Sequence, residues 1–246
     1  MSDSQDKNYI SFEKTEIGQI VSEAPAEKYV SFQKKYFNRL TIIGDSITQK
    51  GFTPGGYCAE LMNFYQRRLR VDVWGFSGYT SRHVLRYLPE IPLEIDSTKL
   101  LIVFLGTNDC QLTETGYMCP VDEFKNNLLA LTRPFPHSKI IIVSPGICTK
   151  DICFKREQEP YVIAASETVN TLNKSKANSA GLINLYEITK SYPTPELLFT
   201  DGLHFSSLGY SLLFNEIVAT ISKAWPELLP NNLPLQFPHW SEILFT

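Results

Sequence analysis

Apolar residues follow two rhythms along this chain. Leu40 to Ile43, Val71 to Trp74, Leu100 to Leu105, Lys139 to Val143 and Leu182 to Leu185 are short runs rich in branched side chains, the pattern of strands buried on both faces of a parallel sheet. Between them lie stretches with apolar residues at helical spacing: Tyr57 to Leu69, about Thr80 to Leu88, Val121 to Phe135, Glu159 to Ala177 and Leu208 to Trp225. In the first of these, Tyr57, Leu61, Phe64, Tyr65 and Leu69 line one face. The alternation of strand and helix predicts an α/β fold with three layers, a parallel sheet and right-handed crossovers. No internal repeat or low-complexity tract interrupts it.

Small and polar residues collect where these strands should end, and ligands of open α/β sheets bind at the carboxyl edge. The first strand runs into Gly44-Asp45-Ser46-Ile47-Thr48-Gln49, the second into Gly75-Phe76-Ser77-Gly78-Tyr79, the third into Gly106-Thr107-Asn108-Asp109. Downstream, Asp201-Gly202-Leu203-His204 puts a carboxylate three positions before an imidazole, just ahead of the last helix. A serine hydroxyl becomes a nucleophile only when a base takes its proton and a third group orients that base. Ser46, His204 and Asp201 are those three types. Each also has a plain structural reading. Asp45-Ser46 suits a helix N-cap, Asp201 a turn before Gly202, His204 a cap of the following helix, and Asn108 the backbone after its strand.

The four blocks, in this order, resemble those of the SGNH hydrolases, also called GDSL esterases and lipases, over roughly residues 38 to 225. Within that family Gly44 to Gln49, Gly75 to Tyr79, Asp201 to His204 and the C-terminal Phe237-Pro238-His239-Trp240 are most similar to the isoamyl acetate-hydrolysing esterases. Val73 and Ser144-Pro145-Gly146 depart from that branch, and bear on substrate preference more than on the reaction. The resemblance implies a three-layer α/β/α sandwich with a parallel five-stranded flavodoxin-like sheet, strand order 2-1-3-4-5. It implies Ser46 as nucleophile, His204 as general base and Asp201 as its orienter. The oxyanion hole would be the N–H groups of Ser46 and Gly78 with the Asn108 amide. Asp45 and Asp109 are expected to hold loops through backbone amides. The implied activity is hydrolysis of short-chain, acetate-type esters through an acyl-serine, with no cofactor and no metal, within lipid degradation. A carbohydrate or lipid deacetylase and an acyltransferase share that chemistry; a non-catalytic binding module of the same fold would not need Ser46, Asn108, Asp201 and His204 intact.

Composition narrows the partners. The chain of 246 residues has a net charge of −3, and no Lys/Arg stripe is interleaved with aromatics, so nucleic acid is not expected. Lys34-Lys35 and Arg67-Arg68 read as solvent-facing pairs. No apolar run is long enough to span a bilayer, and the first residues, Met1 to Lys7, have no leader pattern. Five cysteines, Cys58, Cys110, Cys119, Cys148 and Cys153, read as free thiols of a reducing, cytoplasmic compartment. Cys148 and Cys153 have no second Cys/His pair to complete a metal site. Residues 1–37 read as an N-terminal extension and residues 38–246 as the hydrolase domain with a Pro-rich tail. The long connection Pro145 to Pro160, with Phe154, reads as a lid over the acyl pocket or a surface excursion.

Overall fold

The computed structural model describes residues 37–149 and 155–242. Five strands form one parallel sheet: β1 (Arg39–Asp45), β2 (Arg70–Phe76), β3 (Thr98–Phe104), and, after a small hairpin of β4 (Leu112–Thr113) and β5 (Gly116–Tyr117), β6 (Lys139–Val143) and β7 (Ala180–Ile183). The order is β2-β1-β3-β6-β7, the 2-1-3-4-5 arrangement expected once the hairpin is set aside. Gly44 of β1 lies level with Gly75 of β2 and Phe104 of β3, so the first three blocks leave the sheet side by side.

Alternation along the strands sorts the core into two halves. Leu40, Ile42, Leu100, Ile102 and Phe104 pack on one face with Tyr57 and Leu61 of α2 (Tyr57–Phe64) and Leu213, Ile217 and Ile221 of α7 (Ser207–Ala224). Ile43, Leu101, Val103 and Leu105 pack on the other with Val84 of α3 (Ser81–Tyr87), Phe124 and Leu128 of α4 (Val121–Thr132) and Tyr161 and Ala165 of α5 (Glu159–Ser175). Adjacent β-strand residues face opposite sides. This gives an unbroken apolar run the means to supply both halves, and it is the three-layer α/β/α sandwich.

The boundaries differ from the sequence expectation for identifiable reasons. The last strand is Ala180–Ile183, not Leu182 to Leu185, because Asn184 caps a helix: its side chain accepts the Glu187 N–H at 3.2 Å and starts α6 (Leu185–Lys190). The helix begun at Tyr57 stops at Phe64 instead of Leu69, as Arg67 turns the chain with φ of 61°. The Val121 helix ends at Thr132: Arg133 still has helical backbone, but Pro134 has no N–H to continue the ladder. Arg67 and Arg68 are not merely solvent-facing. Arg67 donates to the carbonyls of Phe237 and Pro238 at 3.2 and 2.8 Å, and Arg68 to that of Leu233, tying down the C-terminal tail. Cys153 and Phe154 lie outside the described residues. The later part of the long connection, from Lys155 on, is fixed to the domain: Leu112 N–H donates to the Lys155 carbonyl at 2.8 Å and Glu157 N–H to that of Cys110 at 3.0 Å.

Candidate active site

Ser46 opens α1 (Ser46–Gln49), the single turn in which β1 ends. Asp45 makes that turn possible, its Oδ1 accepting the Ile47 N–H at 2.9 Å as an N-cap. Gly44 is required where the turn folds back: a Cβ there would sit 2.0 Å from Thr48 Oγ1 and 2.8 Å from the Phe104 carbonyl. Beneath the turn, Tyr210 donates its hydroxyl to the Ile47 carbonyl at 2.8 Å and Tyr57 shares a 2.9 Å hydrogen bond with Thr48. Burial pushes both phenols up, so they stay protonated. These braces escaped the sequence reading, which placed Tyr57 in the core by its spacing alone. A buried tyrosine needs a partner for its hydroxyl, but spacing does not say which.

The Asp201 loop is as closely determined. Asp201 Oδ1 accepts the N–H groups of Leu203 and His204 at 3.0 and 2.8 Å, curling the chain, and Gly202 takes φ of 95°, which side chains resist. Thr200 donates its N–H to the His204 carbonyl at 2.8 Å. Phe199 and Phe205 close the loop beneath, their rings 5.2 Å apart. The curl turns the other carboxylate oxygen onto the imidazole: Asp201 Oδ2 lies 2.7 Å from His204 Nδ1. With Nδ1–H donating to it, Nε2 is the accepting nitrogen, and it lies 2.9 Å from Ser46 Oγ. Burial raises the Asp201 pKa, but hydrogen bonds from the His204 ring and from the two backbone N–H groups outweigh that and bring it to about 2. Ser46 is only 5% exposed and the His204 side chain 17%.

Gly78 is the third residue of a turn closed by a 3.1 Å hydrogen bond from Tyr79 N–H to the Phe76 carbonyl. Its φ is 78°, and a Cβ there would meet nothing within 4 Å. Asn108 Nδ2 donates to the Tyr79 carbonyl at 3.0 Å. That bond supplies the backbone role foreseen as its plain reading and still leaves the second N–H of the amide. Asp109 turns away into the protein, accepting the N–H and hydroxyl of Ser81 at 2.9 and 2.6 Å and so starting α3. Arg156, which no motif pointed to, donates to the Thr107 carbonyl at 3.0 Å and to Gln111 at 3.3 Å, bracing the third block from the long connection. No group of three or more metal-ligating side chains occurs among the described residues.

The sequence model of the GDSL-like lipase/acylhydrolase family matches residues 40–217, from β1 to the middle of α7. The chain belongs to that family. Among its curated relatives, the isoamyl acetate-hydrolyzing esterase of Saccharomyces cerevisiae is 27% identical over 231 residues, covering 85% of this chain and 96% of that protein. The Homo sapiens isoamyl acetate-hydrolyzing esterase 1 homolog is 26% identical, covering 83% and 88%. In fold this GDSL-family chain is similar to a lipase/acylhydrolase from Enterococcus faecalis (TM-score 0.61, 23% identity, 82% of this chain and 100% of that one). It is also similar to the acetyl xylan esterase AlAXEase (TM-score 0.60, 20% identity, 74% and 99%).

Proposed function

We propose that the chain is a serine esterase hydrolysing short-chain, acetate-type carboxylic esters through an acyl-serine intermediate. The observation that carries this is the unbroken hydrogen-bonded line from Asp201 through His204 to the Ser46 hydroxyl. In this reading His204 Nε2 takes the Ser46 proton as Oγ attacks the ester carbonyl. Negative charge then develops on the carbonyl oxygen, met by the N–H groups of Ser46 and Gly78 and the remaining N–H of Asn108. As the tetrahedral adduct collapses, His204 returns the proton to the departing alkoxide, which leaves as alcohol. Water, deprotonated by the same nitrogen, hydrolyses the acyl-serine and restores Ser46. Asp201 stays ionised throughout, holds the ring by Nδ1–H and stabilises the imidazolium.

The acetate preference is supported by the activity for which the yeast and human relatives are named. Residues 38–246 form the hydrolase domain in this reading. A cytoplasmic setting belongs to it too, supported by the buried thiols of Cys58, Cys110 and Cys119. No helix among the described residues is long and apolar enough to cross a membrane.

A panel of p-nitrophenyl esters of rising acyl length, run on wild type, Ser46→Ala, His204→Ala and the double variant, tests the assignment. Turnover should be highest on acetate. Each single variant should lose on the order of 10⁴-fold or more in kcat, and the double variant little beyond that, because the residues act as one unit. Substantial activity in Ser46→Ala, or multiplicative losses in the double variant, sinks the nucleophile and base. A maximum at long acyl chains moves the substrate to lipids and places the protein in lipid degradation.

A further inference from the structure

The turn that carries Gly78 is exposed, yet its outer edge is held by a residue of the first block. Gln49 Oε1 accepts the Ser77 N–H at 2.8 Å, although the two residues are 28 positions apart. The contact depends on Gly75: a Cβ there would come within 2.2 Å of the Gln49 backbone nitrogen. The end of α1 therefore lies directly on β2, and the Gln49 side chain reaches one step further along.

The conformation of this turn decides where Gly78 N–H points. Phe76 to Tyr79 is closed by the Tyr79 N–H to Phe76 carbonyl bond, Gly78 has φ of 78°, and Ser77 is not among the residues with positive φ. That combination is a type II turn. In a type I turn the central peptide, which carries the Ser77 carbonyl and the Gly78 N–H, is turned over by roughly half a revolution. The same sequence can adopt either, and only one of them aims Gly78 N–H as observed. Downstream the turn is secured by the Asn108 bond to the Tyr79 carbonyl and by Tyr79 stacking on Phe76, rings 5.2 Å apart. Among the described residues, the Gln49 bond is the one side-chain hydrogen bond made to the backbone of Ser77 or Gly78.

We infer that Gln49 is a positioning residue for the oxyanion donor: by accepting the Ser77 N–H it ties the Phe76–Ser77 peptide, the first corner of the turn, to the helix that carries Ser46, and so holds Gly78 N–H in place over the carbonyl oxygen that Ser46 attacks. The inference rests on the esterase reading above. Gln49 touches no reacting atom and acts through the Phe76–Ser77 peptide. Its own exposure and that of Ser77 mean that water replaces the lost partner, so the fold does not depend on it.

Gln49→Met keeps the length of the side chain and removes the acceptor. It should lower kcat about tenfold, less than the loss of a whole oxyanion donor, with KM within about twofold. Its melting temperature should match wild type. The inhibition constant of a boronic acid, which becomes a tetrahedral anion on Ser46, should rise in step with the fall in kcat. Ser77→Pro provides the internal control, since proline suits the second position of the turn and removes the N–H that Gln49 accepts. With the donor gone, Gln49→Met should have no further effect on kcat in the Ser77→Pro background. A kcat of Gln49→Met within twofold of wild type overturns the inference, as does a further loss from Gln49→Met in the Ser77→Pro background as large as its loss in wild type. Either result with an inactive Ser46→Ala leaves the esterase reading standing, whereas an active Ser46→Ala removes both.

Discussion

Asp45, beside Ser46, is pulled in two directions. Burial raises its pKa, the Ile47 N–H lowers it, nearby Asp109 adds to the rise, and the outcome is about 7 against an ordinary 3.8. Its Oδ2 is buried with no hydrogen-bond partner. The folded protein thus keeps a proton on Asp45 that the unfolded chain releases once the pH exceeds about 4. Stability from this group is complete below that pH, declines as pH rises toward 7, and levels off above it. Asp201, lowered to about 2, works in the opposite sense and only in acid, its contribution lost as pH falls below 4. Melting temperatures of wild type should therefore fall between pH 5 and 8. Asp45→Asn keeps an oxygen for the Ile47 N–H without a proton to lose, and should flatten that slope, leaving the part due to buried Asp109, whose pKa burial also raises. Equal slopes for the two proteins would show that Asp45 is ionised in the fold. At this scale the sequence singled out Ser46, Gly78 and Asn108 as candidates because small and polar residues stand out at strand ends, and Asp201 and His204 because a carboxylate stands three positions before an imidazole. Tyr210 under Ile47, and Arg156 on Thr107, are separated from their partners by 163 and 49 residues. No spacing rule connects such pairs.

At the scale of elements, strands were legible because their apolar runs are bounded by glycine and polar residues, and β6 matches its expected limits Lys139 to Val143. The hairpin of β4 and β5 and the short α6 were not, since two-residue strands and a six-residue helix carry no measurable periodicity. The two glycines of the second block illustrate what a motif conceals. Gly75 is needed for space, because a Cβ meets the backbone of α1 at 2.2 Å; Gly78 is needed for conformation, because its φ is 78° with open space around it. Gly75→Ala must push α1 off β2, a change that costs at least the 1–3 kcal/mol or so of overpacking. Gly78→Ala costs about 1 kcal/mol in strain, or turns the peptide over to escape it. Gly75→Ala should accordingly lower the melting temperature more, and Gly78→Ala should lower kcat per folded molecule more than its modest stability loss predicts. The reverse ranking in paired melting curves and active-site titrations would contradict this division of labour.

Across the whole molecule, the proposed chemistry and the terminal anchor occupy opposite edges of the sheet. Ser46, Gly78 and Asn108 follow the carboxyl ends of β1, β2 and β3. The C-terminal tail instead returns to the amino edge. Gln236 donates its side-chain amide to the carbonyls of Asn38 and Arg68 at 3.0 and 3.1 Å, and its N–H to that of Arg67 at 2.8 Å. Phe237 packs against Phe37 with the rings tilted and their centres 5.1 Å apart. Farther back, Trp225 is fully buried and donates to the Asn178 carbonyl at 2.8 Å, while Tyr65 donates to that of Leu228 at 3.0 Å. A chain ended after Asn232 keeps these inner anchors and loses the outer ones. Several partly exposed hydrogen bonds and one aromatic contact, at about 0.5–1.5 kcal/mol each, should together lower the melting temperature by roughly 5–10 °C. Because none of the described contacts that are lost reaches the carboxyl edge, kcat and KM on p-nitrophenyl acetate below the transition should remain those of the full chain. A fall in kcat without further unfolding would mean that the amino edge is mechanically coupled to Ser46 through β1, and would make the tail part of the catalytic apparatus.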